Sequence, residues 1–220
     1  MQGPVNGSVA PGPAQLDAVT FDANGTLLRL IDPVPALADV LRRRGVDRTE
    51  EEVAAAFAAE ASHYAAHCSD GRDDGSLASL RLDCASVFLE AARAPLDARE
   101  VIDDYNAAFA FEALPAAARL LRRLRASGLA LAIVSNWDVS MHTHLGHLGL
   151  ASLVDVAVAS SDAGASKPDP RIFEHTLGLL GVRPERTLHV GDSRTDADGA
   201  AAAGLHFASA PAEAVFAEWR

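Results

Sequence analysis

The side chains of this chain that can do chemistry stand at four places where an apolar run breaks into a turn. Asp22 and Asn24 end the run in "VTFDANGTLL", and Ser135 and Asn136 end "LALAIVSN". Lys167 lies in "ASKPDP", and Asp192, Ser193 and Asp196 follow "TLHV". Together they offer carboxylates, one ammonium, one hydroxyl and several turn N–H groups. That inventory suits phosphoryl transfer. Asp22 and Asp192 can hold a Mg²⁺ through oxygen ligands, and Asp22 can also attack phosphorus and form a covalent intermediate. Lys167 and the turn amides can stabilise the charge on the transferring group. Without a cation, the clustered carboxylates would repel one another.

These groups meet only if the apolar runs are neighbouring strands. "LDAVTF" reads as a buried strand, and "LALAIVS", "LVDVAVAS", "TLHV" and "LHFAS" read likewise. Helical patterns separate them. "PAAARLLRRLRAS" is stopped by Gly128, "VSMHTHLGHL" is short, and "DPRIFEHTLGLL" carries Asp169 at its cap with Pro170 at the first helical position. Such alternation predicts a parallel sheet with helices on both faces. In an open parallel sheet the ligand crevice lies beyond the carboxyl ends of the strands, where the chemical residues sit. One block breaks the alternation. From Pro33 to about Phe111 the apolar spacing is helical, and Thr49 with Glu52 forms a capping box before "VAAAFAAEASHYAAH". About four helices are expected there, as an inserted second module.

The four segments together resemble the haloacid dehalogenase superfamily of aspartate-nucleophile hydrolases. "FDANGTL" resembles its first motif, "IVSN" its second, "KPDPRIFE" its third and "GDSRTDADGAAAAG" its fourth. The order and spacing match, and the resemblance runs from about Leu16 to the C-terminus. It implies an α/β fold: a Rossmann-like parallel sheet core, residues 16–32 and 113–220, with an inserted all-helical cap, residues 33–112, of the family's first cap type. Residue by residue, it implies that Asp22 is the nucleophile. Asp22, Asp192 and the Asn24 backbone carbonyl would hold Mg²⁺. Ser135 would bind the substrate phosphate, with Ala23, Asn24, Asn136 and Lys167 beside it. Lys167 would neutralise the nucleophile and phosphate, and Asp196 would orient Lys167.

Position 24 departs from the family pattern. Phosphatases of the family carry a second Asp there, which protonates the leaving group and later helps water attack the phospho-enzyme. An amide cannot exchange a proton usefully at neutral pH, though it can still hydrogen-bond. The expected activity is Mg²⁺-dependent hydrolysis of a small phosphorylated metabolite. Two alternatives stay open. The family's 2-haloacid dehalogenases also lack the second carboxylate and need no metal, although an extra carboxylate such as Asp192 would not help a metal-free displacement. A catalytically weak protein that binds a phosphorylated ligand is the other alternative.

The whole chain bounds the partners. Its 220 residues carry 19 Lys and Arg against 30 Asp and Glu, a formal net charge of -11, which argues against nucleic acid. No apolar stretch reaches the about 18 residues of a membrane span. The two cysteines, Cys68 and Cys84, show no CxxC spacing and read as reduced thiols of a cytoplasmic protein. Residues 1–15, rich in Gly and Pro and without a charged side chain, read as a flexible tail rather than a signal segment. Oligomeric state is not readable.

Several other residues have structural readings beside a functional one. His142, His144 and His147 are read as surface histidines rather than a metal cluster. His63 and His67, at i and i+4, lack an obvious third ligand. His189 lies between apolar residues and is expected in the core. Trp137 can line a substrate entrance or pack beneath the cap, and Tyr64, Arg72 and Arg81 are candidates for substrate contact.

Overall fold

The computed structural model describes residues 15–217. The tail expected at 1–15 therefore lies, but for Gln15, outside the described residues. The core is a five-stranded parallel sheet of β1 (Ala18–Phe21), β4 (Ala130–Ser135), β5 (Val156–Ala159), β6 (Thr187–Gly191) and β7 (His206–Ser209), in the order β5-β4-β1-β6-β7. β1 is central. Phe21 stands in register with Ile133 on one side and Val190 on the other. The first strand is fully buried along its length, as its unbroken apolar run requires in a sheet covered on both faces.

Side-chain alternation divides β4 between two cores. Leu131 and Ile133 point into a cluster with Leu120, Leu121 and Leu124 of α5 (Ala117–Ala126) and Met141 and Leu145 of α6 (Met141–His147). Val134 points the other way, to Ile172, Phe173 and Leu177 of α8 (Arg171–Leu180) and Ala200 of α9 (Arg194–Ala202). α5 explains itself: its leucines recur at helical spacing on one face and its arginines occupy the other. Two one-turn helices, α7 (Ser160–Ala163) and α10 (Ala212–Val215), complete the layers.

Between β1 and β4 the chain builds four helices: α1 (Val34–Arg42), α2 (Glu50–His67), α3 (Asp74–Ala91) and α4 (Ala98–Ala107). They enclose their own apolar cluster, including Leu37, Leu41, Val53, Phe88 and Val101. α2 begins at a reciprocal capping box: Glu52 N–H donates to Thr49 Oγ1 at 3.2 Å, and Thr49 N–H donates to Glu52 Oε2 at 2.9 Å. A similar box of Asp73 and Ser76 starts α3. The sequence does not announce the ribbon that joins the two layers. β2 (Leu28–Leu30) pairs antiparallel with β3 (Phe111–Ala113), and Arg29 bonds Glu112 across it at 2.6 Å. Three-residue strands are too short to show a period of two, so the helical block was expected to begin and end without strands.

Candidate active site

Everything at the site hangs from the carboxyl end of β1. Asp22 N–H donates to Val190 O of β6 at 2.9 Å, which fixes Asp22 one residue beyond the strand. The chain then turns at once. Gly25 holds a φ of +83°, a left-handed conformation that glycine adopts without cost. It also lies so close to Asp192 that a Cβ there would overlap that carboxylate. The Asn-Gly pair is thus the turn that lets the β1 and β6 loops touch. Ala23 is buried, its carbonyl closes the turn by accepting from Leu27 at 2.9 Å and Leu28 at 3.0 Å, and its N–H donates no hydrogen bond among the described residues.

Asp22 divides its oxygens between two tasks. Oδ1 accepts from Lys167 Nζ at 2.6 Å and from Ser135 Oγ at 3.0 Å. Oδ2 accepts no hydrogen bond from the described residues. Lys167 is only 5% exposed and its ammonium is saturated: it also donates to Asp196 Oδ1 at 2.5 Å and to Val134 O at 3.0 Å. Its backbone is clamped by Asn136, whose Oδ1 accepts from Lys167 N–H at 2.7 Å and whose Nδ2 donates to Lys167 O at 2.9 Å.

Asp196 anchors this arrangement from below. It is 1% exposed, and all its acceptor capacity is spent. Besides Lys167, Oδ1 accepts from His189 Nε2 at 3.1 Å, while Oδ2 accepts from Ser193 N–H at 3.1 Å and from the Ser193 hydroxyl. Burial would raise its pKa, but the His189 and Lys167 contacts win and hold the carboxyl well below the usual range. His189 is fully buried, and burial holds its imidazole below the ordinary histidine pKa. With Nε2–H given to Asp196, Nδ1 accepts from Thr20 Oγ1 at 2.9 Å. His189 is the core residue its apolar neighbours predicted, and also the strut under Asp196. Its place in a network with Thr20 is invisible in sequence, since the two are paired only by strand register.

Asp192 is different. It is exposed, and no cation pairs with it among the described residues. Its pKa is raised, first by partial burial and then by the charges of Asp22 and Asp196. Carboxylate oxygens of Asp22, Asp192 and Asp196 lie within 4.8 Å of one another. Lys167 pairs with Asp22 and Asp196 and leaves the third carboxylate, Asp192, uncompensated, so the donor set suits a hard divalent cation. Asp196 has no oxygen to spare for it. Asp22 Oδ2, Asp192 and the Asn24 carbonyl, on which no hydrogen bond ends among the described residues, are the ligands left.

The Asn24 side chain is not idle. Its Oδ1 accepts from Leu30 N–H at 3.1 Å, bracing the turn against β2. Asn24, Ser135 and Asn136 stand at one end of a cavity of about 400 Å³ that runs up between α2, α3 and α4. Trp137 both lines this cavity and packs against Phe111, with ring centroids 4.7 Å apart, so its two sequence readings are not exclusive. Of the three candidate contacts from the helical block, Tyr64 and Arg81 line the cavity. Arg72 instead bonds Ser69 O at 3.2 Å and is not part of the wall. Tyr64 also bridges the layers, its hydroxyl donating to Asp138 Oδ2 at 2.8 Å. His144 is half-buried against Trp137 and Phe111, while His142 and His147 are exposed. His63 and His67 stack at 4.3 Å with no third ligand beside them among the described residues.

An acidic site at the carboxyl ends of parallel strands, with one aspartate braced by a buried lysine, defines an α/β hydrolase built around that aspartate. The chain belongs to the haloacid dehalogenase-like hydrolases, whose family model matches residues 16–204. It is 33% identical over 205 residues to human haloacid dehalogenase-like hydrolase domain-containing protein 3, covering 87% of this chain and 80% of that protein. It is 30% identical over 195 residues to glyceraldehyde 3-phosphate phosphatase of Methanopyrus kandleri, covering 86% and 82%. Among solved structures, the L-2-haloacid dehalogenase of Xanthobacter autotrophicus matches with a TM-score of 0.59 and 25% identity, over 88% of this chain and 77% of that one.

Proposed function

We propose that this hydrolase is a Mg²⁺-dependent phosphatase of a small phosphorylated metabolite, with Asp22 as nucleophile. The observation that carries the reading is Asp192: an exposed carboxylate with no cationic partner among the described residues, set against Gly25 within reach of Asp22. A metal-free displacement gains nothing from that extra negative charge, whereas a cation-assisted one requires it.

Asp22 supplies the attacking carboxylate oxygen, with Lys167 and Ser135 holding its side chain in place through Oδ1. Its bond to phosphorus forms as the ester oxygen leaves with the electron pair. Lys167 stays in place through Asn136 and Asp196 and faces the charge on the transferring group. The Ser135 hydroxyl and the free Ala23 N–H are positioned to hold phosphoryl oxygens. When bound, Mg²⁺ would neutralise charge and orient the phosphate, and Asp22, Asp192 and the Asn24 carbonyl would hold it. The helices over residues 33–112 serve as the cap that closes the site and excludes water. No carboxyl at position 24 supplies a proton to the leaving oxygen, so esters of good leaving groups are the favoured substrates.

The absence of that carboxyl is the feature that favours halide displacement as a second reading. One panel separates them: phosphomonoesters and 2-haloacids, each with Mg²⁺ and with a chelator. Phosphate release that stops on chelation is the expected result. Halide release that persists in chelator would overturn the reading.

A further inference from the structure

The cavity has a second polar end that the proposed chemistry does not use. Glu60 on α2, Cys84 on α3 and Tyr105 on α4 all contribute to its wall. They are buried, at 5%, 3% and 2% exposed. The Tyr105 hydroxyl makes no hydrogen bond among the described residues. The Glu60 carboxyl has no cationic partner among the described residues. The three groups nonetheless feel one another. Burial first, then the Glu60 charge, pushes the Tyr105 hydroxyl and the Cys84 thiol upward, and burial raises Glu60 itself.

Buried polar groups persist without partners where something outside the chain completes them. Phe57, Leu80 and Phe109 give the same wall an apolar surface. An ionised carboxylate accepts hydrogen bonds and cannot donate, and it repels an anionic group. A donor is therefore the partner that the ionised form of Glu60 calls for. A phenol hydroxyl beside it can accept from the same donor while giving its own proton to Glu60.

We propose that Glu60 and Tyr105 receive the far end of the substrate, and that the substrate is a phosphomonoester whose apolar body ends in a hydrogen-bond donor, a hydroxyl or an ammonium. The phosphate end of this inference rests on the phosphatase reading; the donor end stands on the cavity alone. Glu60 favours a cation and Arg81, half-exposed on the same wall, weighs against one, so the two donors are separate arms of the test.

The test uses three aryl phosphates that differ only at the tip: 4-(2-aminoethyl)phenyl, 4-(2-hydroxyethyl)phenyl and 4-propylphenyl phosphate. Calorimetry on the Asp22→Asn protein measures binding whether or not the wild type turns over. At least one donor-bearing ester should bind about ten-fold tighter than the propyl ester. Glu60→Gln with Tyr105→Phe should shrink that preference to within about two-fold. Tyr105→Phe in the ligand-free protein should leave the thermal midpoint unchanged or raised, since no bond is lost. Equal or tighter binding of the propyl ester, binding of none of the three, or a preference that survives both substitutions overturns the inference. So does a fall of more than about 4 °C in the midpoint with Tyr105→Phe. Failure of the wild type to release phosphate from any ester, with the donor preference intact, defeats the phosphatase reading and leaves this one standing.

Discussion

Replacing Asn24 by Asp tests what limits this site. The change is nearly isosteric and puts a carboxyl back at the edge of the cavity, two residues from Asp22. A positioned general acid contributes about 10²–10⁴-fold. The structure lowers that figure. Asn24 Oδ1 is tied to Leu30 N–H at 3.1 Å, and a carboxyl that turns towards the leaving group loses that bond. A hydrogen bond of this kind is worth about 0.5–1.5 kcal/mol, up to about ten-fold in rate. The net gain expected is about 10–10³-fold. The charges of Asp22 and Asp192 work in its favour, because they keep a neighbouring carboxyl protonated and so able to act as an acid. The assay is phosphate release with Mg²⁺ from an alkyl and an aryl phosphate. Alkyl esters, whose alkoxide leaves badly unprotonated, should show the gain, and aryl esters should show little. Asn24 precedes Gly25, a sequence prone to deamidation, so mass spectrometry of this peptide must accompany the wild-type measurement. An unchanged alkyl rate in Asn24→Asp would refute the reasoning. Equal wild-type rates on alkyl and aryl esters, with Asn24 verified intact, would do the same and assign the proton to another group.

Asp196→Ala should cost about 3–5 kcal/mol in chemical denaturation, because it strips two buried donors, Lys167 and His189, of a shared acceptor; a loss below about 1 kcal/mol would mean the network does not hold the site. Gly25→Ala should cost about 1–2 kcal/mol for its left-handed backbone alone and should weaken Mg²⁺ binding measured by calorimetry, since its methyl displaces Asp192; unchanged affinity would remove Asp192 from the ligand set. His142 donates to Asp162 at 2.8 Å, and that bond raises its pKa above the ordinary 6.5. Its contribution to stability is then complete below about pH 6.5 and is lost as pH rises through the folded-state value; at a half-exposed pair it amounts to less than about 1 kcal/mol. Asp162→Asn should bring the His142 NMR titration back down towards 6.5, and a midpoint that does not move would show that Asp162 is not the cause.

The strands, the four chemical turns and the helical insert were legible in the sequence because each is written locally. A buried parallel strand is a short apolar run, and its end is marked by a turn residue. Capping boxes such as Thr49 with Glu52 lie within one turn of helix. Once the strands are parallel neighbours, their carboxyl ends must converge, so Asp22, Ser135, Lys167 and Asp192 could be gathered without coordinates. What the fold alone decided depends on pairs that are distant in the chain. Thr20 meets His189 through the register of β1 with β6, and Asn24 is bound to Leu30 only because the turn folds back on β2. Arg72 and Arg81 look equivalent in sequence, yet Arg72 lies exposed just before α3, while Arg81, on α3, lines the cavity. Glu60 reads as one more acidic residue on an exposed helix. It is buried because α3 and α4 close over α2, and that packing is what places it, with Tyr105, where a substrate would end. Local patterns encode period and punctuation; which faces meet is settled by the packing of whole elements, and the specificity of this site is written there.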